Sequence, residues 1–309
     1  MANKKDISNI TVIGAGTMGH GIAQVAAVGR FNVVLNDVSD DFLEAAQKRI
    51  RHDLLQAVEI AKLTTDEMYA ALGRIKLEAK MEHAAEGADL VIEAVPEKMD
   101  LKLALFARLE QVCVPHAIFA SNTSALSITE MAAATRRPQQ FIGMHFFNPV
   151  HKMKLVELIR GLETNDDTLI VAETVAKTMG KDTVVVKESP GFVTSRINAL
   201  IGNEAFYMLQ EGVASARDID KALKLGLNHP MGPFEMIDLV GLDTRLHILE
   251  YLHKSLGEKF RPAPLLVQYV KAGRLGRKAG RGVYDYPGQE PGRGDGRAAI
   301  TAAAQDFKK

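Results

Sequence analysis

The stretch that most constrains this chain runs from Asn9 to Gln24, where a short apolar segment ends in Gly14-x-Gly16-x-x-Gly19. A helix-compatible segment follows, and a second apolar run, Asn32 to Asn36, leads to Asp37. Strand, tight glycine turn, helix, strand and acid in this order form the fingerprint of a dinucleotide site. Gly14 permits the turn, Gly16 lets the backbone approach a pyrophosphate, and Gly19 lets the helix pack close to the sheet. Thr17 and Met18 complete the loop. The helix start offers free N–H groups and a positive dipole end to phosphate. Asp37 is placed to accept hydrogen bonds from an adenosine ribose, and its charge opposes a 2′-phosphate, so the pattern favours NAD over NADP. The glycine spacing taken alone also describes an ordinary structural turn.

From Ile10 to about Lys187 strand-like and helical patterns alternate. The strand-like runs are 10–13, 32–36, 88–92, 117–120, 141–144, 154–159 and 183–187. Helical spacing marks 41–62 and 101–112, the former long enough to project as a hairpin with 65–73. This alternation predicts an α/β fold, a Rossmann-like, doubly wound, mostly parallel sheet. Ser189-Pro190-Gly191 marks a boundary, with Pro190 expected at the first position of a new helix and Ser189 as its cap. Beyond it only helical patterns occur, at 195–211, from Ser215-x-x-Asp218 onward, and at 243–256. The expected organisation is an NAD-binding domain over 1–188, a helical substrate and dimerisation domain over 189–286, and a flexible tail over 287–309. The tail expectation rests on six Pro or Gly residues among the eleven from Pro287 to Arg297. The 195–211 helix is apolar over much of its circumference, which predicts burial within the domain or in a homodimer.

Charge excludes several functions. Lys plus Arg equals Asp plus Glu at 38 each, so no global field draws the chain to nucleic acid. No apolar run approaches a membrane span, and the first eight residues lack a signal-peptide core, so a cytoplasmic location is expected. Cys113 has no companion for a disulfide and reads as a packing residue in a reducing compartment. No metal site is expected.

A nicotinamide site needs a group that moves a proton while the cofactor moves a hydride. Of nine histidines, His145 stands out because it ends the strand Phe141-Ile-Gly-Met-His145, and strand C-termini line the ligand crevice of an open sheet. Glu157 lies inside the apolar run Leu155-Val-Glu157-Leu-Ile159. A carboxylate buried there needs a partner, and a His–Glu pair answers that need if the two strands are neighbours. The alternative is an edge-strand Glu facing water. Ser121-Asn-Thr-Ser124 follows another strand, where its hydroxyls serve either chemistry or helix capping.

Several motifs together resemble the L-3-hydroxyacyl-CoA dehydrogenase family, most of all its bacterial short-chain branch. They are Gly14–Gly19, Ser121-Asn-Thr-Ser-Ala-Leu126, Gly143-Met-His-Phe-Phe-Asn-Pro149, Pro190-Gly-Phe192 and His229-Pro-Met-Gly-Pro-Phe234, spread in order over about 8–286. The resemblance implies interconversion of short-chain (S)-3-hydroxyacyl-CoA and 3-ketoacyl-CoA, in fatty acid or butanoate metabolism, by a homodimer. It implies that His145 is the base, that Glu157 orients it, and that Ser124 holds the substrate oxygen near the nicotinamide. Asp37, Glu97, Lys102, Asn148 and Lys278 match cofactor contacts, although Lys278 also reads as part of a solvated basic turn. One departure is clear: where the family usually has Pro-Gly-Phe-x-x-Asn-Arg, this chain has Ser195 in place of the Asn. Ser195 is shorter and still able to donate a hydrogen bond to the site. Lys48, Arg49 and Arg51 are candidates for the CoA phosphates, against the alternative of a solvated helix face. The rival activities are sugar-acid oxidation of the L-gulonate type in the same superfamily, and a non-catalytic NAD-binding role like that of the related lens crystallins.

Overall fold

The computed structural model describes residues 7–287. The expected tail lies beyond Pro287, outside the described residues. The chain divides into two compact units, Met1–Ser189 and Pro190–Lys309.

The first unit contains β1 (Asn9–Ile13), α1 (Gly19–Val28), β2 (Asn32–Asn36), α2 (Asp40–Glu59), α3 (Thr65–Gly73), β3 (Ile75–Glu78), α4 (Met81–Ala85), β4 (Leu90–Glu93) and α5 (Met99–Val112). It continues with β5 (Ile118–Ser121), α6 (Ile128–Ala133), β6 (Phe141–Phe146), β7 (Leu155–Arg160), α7 (Asp166–Thr178) and β8 (Asp182–Lys187). The strands form one sheet in the order β3-β2-β1-β4-β5-β6-β7-β8. From β3 through β6 neighbouring strands are parallel. β7 runs antiparallel to β6, and β8 is parallel to β7. Chain direction therefore reverses at β7, and the starts of β7 and β8 lie at the edge where β1, β4, β5 and β6 end.

Strand order switches between β1 and β4, the position where an open α/β sheet forms its ligand crevice. The central strands are buried on both faces, as their unbroken apolar runs require. The core of this unit includes Val12, Ile22, Leu35, Ile92 and Met144. The hairpin of α2 and α3 is present, and α3 starts with a capping box in which Thr64 and Glu67 each accept the other's backbone N–H. β3 has no counterpart in the sequence reading. Its Ile-Lys-Leu-Glu segment is short and at most half-buried, too weak a pattern to separate from the end of α3.

The second unit is helical: α8 (Thr194–Gln210), α9 (Ala216–Gly226), α10 (Pro233–Val240), α11 (Leu242–Leu256) and α12 (Pro264–Lys271). Its core gathers Phe206, Phe234, Leu242, Leu249, Phe260 and Leu266. Pro190 does not begin a helix. Gly191 and Phe192 take left-handed φ values of 74° and 51°, so the chain turns first and α8 starts at Thr194. A left-handed pair cannot continue a right-handed helix, and that geometry overrides the Ser-Pro signal. Only one side of α8 is buried, at Ala199, Gly202, Asn203, Ala205 and Phe206, while Ile197 remains exposed. No helix among the described residues is long and apolar enough to cross a membrane.

Candidate active site

The glycine loop after β1 fits a dinucleotide. Gly14 has φ +100°, and a Cβ there would lie 2.7 Å from the Ala94 carbonyl oxygen on the neighbouring β4 connection. A Cβ on Gly19 would lie 1.6 Å from the Gly14 oxygen, so α1 crosses the strand end with no room for a side chain. At Gly16 the Cβ direction is open, with no atom within 4 Å. Thr17 is exposed and Met18 half-buried beside it. α1 has neither a side-chain cap nor an acidic residue in its first turn, which leaves its dipole end available to an anion. Asp37 stands at the end of β2, and its Oδ2 accepts the Ala15 N–H at 2.7 Å. Burial pushes its carboxyl above the ordinary value, against the backbone N–H groups of Ala15, Val38 and Ser39, which favour the charge. The acid is thus tied to the glycine loop.

His145 and Glu157 face each other directly across the antiparallel β6–β7 ladder. His145 Nδ1 lies 2.7 Å from Glu157 Oε2, and both side chains are buried. The edge-strand alternative for Glu157 does not hold, because β7 lies between β6 and β8. The Glu157 carboxylate at Nδ1 fixes the orientation of the imidazole on β6. Phe147 packs against the imidazole with ring centroids 4.4 Å apart.

Ser124 is positioned by a buried charge network that begins at Glu93. Glu93 ends β4 fully buried, and it accepts Lys102 Nζ at 2.6 Å, Ser121 Oγ at 2.6 Å and the Val95 N–H at 2.7 Å. Lys102 also reaches Glu97 at 3.2 Å. Glu97 in turn accepts Thr123 Oγ1 at 2.5 Å, the Ser124 N–H at 2.9 Å and Ser124 Oγ at 3.2 Å. Burial works against charge on both partners. The two glutamates nevertheless raise the Lys102 ammonium above its ordinary value, while Lys102, Thr123 and Ser124 hold the Glu97 carboxyl below its own. Asn122 joins the strand ends: its N–H donates to the Glu93 carbonyl at 2.8 Å, and its Oδ1 accepts the Phe146 N–H at 2.8 Å. Sequence reasoning missed Glu93, and it placed Ser121 and Asn122 in the Ser121–Ser124 motif without these partners. The acid ending the apolar run Leu90-Val-Ile-Glu93 is the same signal that singled out Glu157.

Lys102 therefore lies buried between two carboxylates, while Glu97 remains partly open. Asn148 is exposed in the loop after β6 and joins Pro149 through a cis peptide. Lys48, Arg49 and Arg51 are exposed on α2, and Lys48 lies 3.8 Å from Glu44 of its own helix. Lys48 and Arg51 line a groove of about 280 Å³ with Gln47, Ile50, Leu72 and Ile75. Among the described residues no ion pair or hydrogen bond ties these three cations to His145, Ser124 or Glu97. In the second unit, Ser195 occupies the first turn of α8, half-buried. Lys278 is held by both carboxylate oxygens of Asp243, at 2.6 and 2.8 Å, so it is an ion-pair member rather than part of a freely solvated turn. Among the described residues no cluster of three or more His, Cys, Asp or Glu side chains is arranged to hold a metal.

Both units of the chain match known proteins. Residues 9–189 match the model of the 3-hydroxyacyl-CoA dehydrogenase NAD binding domain, and residues 191–286 match that of the C-terminal domain. The chain is 51% identical over 282 residues to a Bacillus subtilis protein named "Probable 3-hydroxybutyryl-CoA dehydrogenase", covering 91% of this chain and 98% of that one. It is 49% identical over 286 residues to the 3-hydroxybutyryl-CoA dehydrogenase of Bradyrhizobium diazoefficiens, covering 92% and 97%. The crystal structure of (S)-3-hydroxybutyryl-CoA dehydrogenase from Ralstonia eutropha superposes with a TM-score of 0.87 at 46% identity, covering 91% of this chain and 99% of that one. The chain belongs to the 3-hydroxyacyl-CoA dehydrogenase family.

Proposed function

We propose that this protein is an NAD-dependent dehydrogenase that interconverts (S)-3-hydroxyacyl-CoA and 3-ketoacyl-CoA, with short acyl chains of the butyryl type. The observation that carries the reading is the buried His145–Glu157 pair at the crevice edge of the sheet. Bound NAD supplies a nicotinamide C4 that accepts hydride from substrate C3 during oxidation or returns it during reduction. His145 Nε2 takes the substrate hydroxyl proton, and Glu157 keeps the imidazole in the tautomer with its proton on Nδ1 and then stabilises the imidazolium. Ser124 Oγ, which donates its one hydrogen to Glu97 across a long 3.2 Å bond, turns that hydrogen to the substrate oxygen. Asp37 selects the adenosine ribose. Glu97, Lys102 and Asn148 shape the cofactor side.

Ser195 supplies a hydroxyl in place of the family's amide, and Lys278 supports the cofactor side only by exchanging Asp243. Lys48, Arg49 and Arg51 meet the CoA phosphates, a role supported by their exposure and by the groove beside Lys48 and Arg51. Residues 1–188 bind NAD, and 189–286 contribute to substrate and to a homodimer, for which the exposed Val193 and Ile197 at the start of α8 argue. A cytoplasmic location fits this chemistry and the single buried cysteine.

The test is loss of NADH absorbance with acetoacetyl-CoA, beside NADPH and a Ser195→Asn variant. Robust NADH oxidation is the expected result, and the Asn variant then reads the effect of the departure. Silence in both proteins with NADH overturns the acyl-CoA assignment and directs the assay to sugar acids.

A further inference from the structure

The loop from Phe147 to Met153 carries Asn148 away from His145 and returns the chain to β7. Beneath it lies Lys181, a side chain with no role in the chemistry described above. α7 ends at Thr178, Gly180 turns the chain with a φ of +75°, and the Lys181 N–H closes the helix end on the Ala176 carbonyl at 3.0 Å. Asp182 then pairs with Leu155 at the start of the β7–β8 ladder. That register brings Lys181 under the loop that precedes β7. Its side chain is only 6% exposed. Its ammonium donates to the Val150 carbonyl and, at 2.9 Å, to the Met153 carbonyl. Among the described residues no carboxylate pairs with it, and burial alone pushes its ammonium below the ordinary lysine value.

A buried ammonium without a counter-charge is expensive, and an apolar side chain of similar length would fill the same volume at lower cost. The charge is explained by what it holds. The Val150 side chain lies against Gly21 of α1, where an added Cβ would come within 2.9 Å of Val150 Cβ. Lys181, the loop and the helix that presents its N-terminus to the cofactor thus form one stack. The other polar tie is weaker. His151 Nδ1 stands 3.4 Å from Asp53 of α2, and burial, aided by Lys152, His20 and Lys181, pushes the imidazole below its ordinary value despite Asp53. Near neutral pH that contact lacks a full opposite charge.

We propose that Lys181 is a positioning residue for cofactor binding: its ammonium clamps the 147–153 loop against α1 and sets the place from which Asn148 meets NAD. This rests on the NAD reading of the glycine loop and of Asn148. Removing the clamp leaves His145, Glu157 and Ser124 in place, so the loss falls on NADH affinity and not on turnover.

The experiment titrates NADH by fluorescence on the full chain and measures kcat and the KM for NADH at saturating acetoacetyl-CoA. The variants are Lys181→Met, Lys181→Arg and Gly21→Ala, the last pressing on Val150 from the opposite side. In Lys181→Met the Kd and KM for NADH rise about tenfold, the scale of one hydrogen bond to a charged group, with kcat within about twofold. Lys181→Arg, which keeps charge and donors, recovers most of the affinity, and Gly21→Ala weakens NADH in the same way. Hydrogen exchange speeds up at the Lys152 and Met153 amides, which both donate to the Pro149 carbonyl. An unchanged NADH Kd in folded Lys181→Met or Gly21→Ala overturns the proposal, even with a lower Tm. If Lys181→Met does not fold, Gly21→Ala decides alone. Wild-type protein that binds no NADH overturns the cofactor reading itself, which the titration shows before any variant is compared.

Discussion

Lys102 Nζ, from the first turn of α5, stands 2.6 Å from Oε1 of Glu93, the last residue of β4, inside the protein. Glu97 completes a triad of two carboxylates around one ammonium. Taking the cation away would leave Glu93 fully buried with its charge uncompensated. Lys102→Met is therefore expected to lower stability by about 3–5 kcal/mol, the scale for removing one member of a buried pair. Urea melts check it. A change below about 1 kcal/mol would take the Lys102–Glu93 pair out of the stability of the fold.

The same network has a pH signature. The Glu97 carboxyl lies below its ordinary value of 4.5 in the folded protein, chiefly through Lys102 once burial has been overcome. A depressed carboxylate contributes stability above the unfolded value and loses it as pH falls through the folded one. Thermal melts are expected to drop below about pH 4.5, and Glu97→Gln is expected to lower Tm at neutral pH and flatten that acid slope. Parallel slopes in the two proteins would remove Glu97 from the linkage.

His145→Gln keeps a polar side chain on β6 and removes the base. kcat is expected to fall by about 10²–10⁴, the usual range for general acid–base catalysis, with NADH affinity within twofold. A near-normal kcat would take His145 out of the mechanism.

Glu157→Gln tests orientation apart from proton transfer. A glutamine amide directed at Nδ1 donates where the carboxylate accepted, which moves the imidazole proton to Nε2 and blocks the base. A fall in kcat approaching 10⁴ is expected, by analogy with amide replacement in a Ser-His-Asp triad, with little change in the KM for NADH. Loss of NADH binding together with kcat would indicate a structural role only.

Asp37→Ser removes the like charge that opposes a 2′-phosphate. The ratio of NADH to NADPH efficiency is expected to fall by an order of magnitude or about that. An unchanged ratio would place cofactor selection elsewhere.

The local patterns of the chain determined much of this protein. Glycines at 14, 16 and 19 between two apolar runs specify the turn because backbone sterics act within a few residues. Alternating strand and helix periods imply a doubly wound sheet, and an acid inside the apolar run at Glu157 signals a partner. Tertiary structure alone decided which partner: the reversal of β7 brings Glu157 opposite His145, and a parallel neighbour with shifted register would not. It also decided that β3 joins the sheet edge, since its four residues gain their order by pairing with β2. The left-handed turn at Gly191 and Phe192 delays α8 despite a strong start signal, because the surrounding fold overrides local propensity. The buried charge contacts were the least legible. Glu93 with Lys102, Asp243 with Lys278 and Lys181 beneath the 147–153 loop are contacts between different elements, and a charge in sequence carries no mark of which group will be packed beside it.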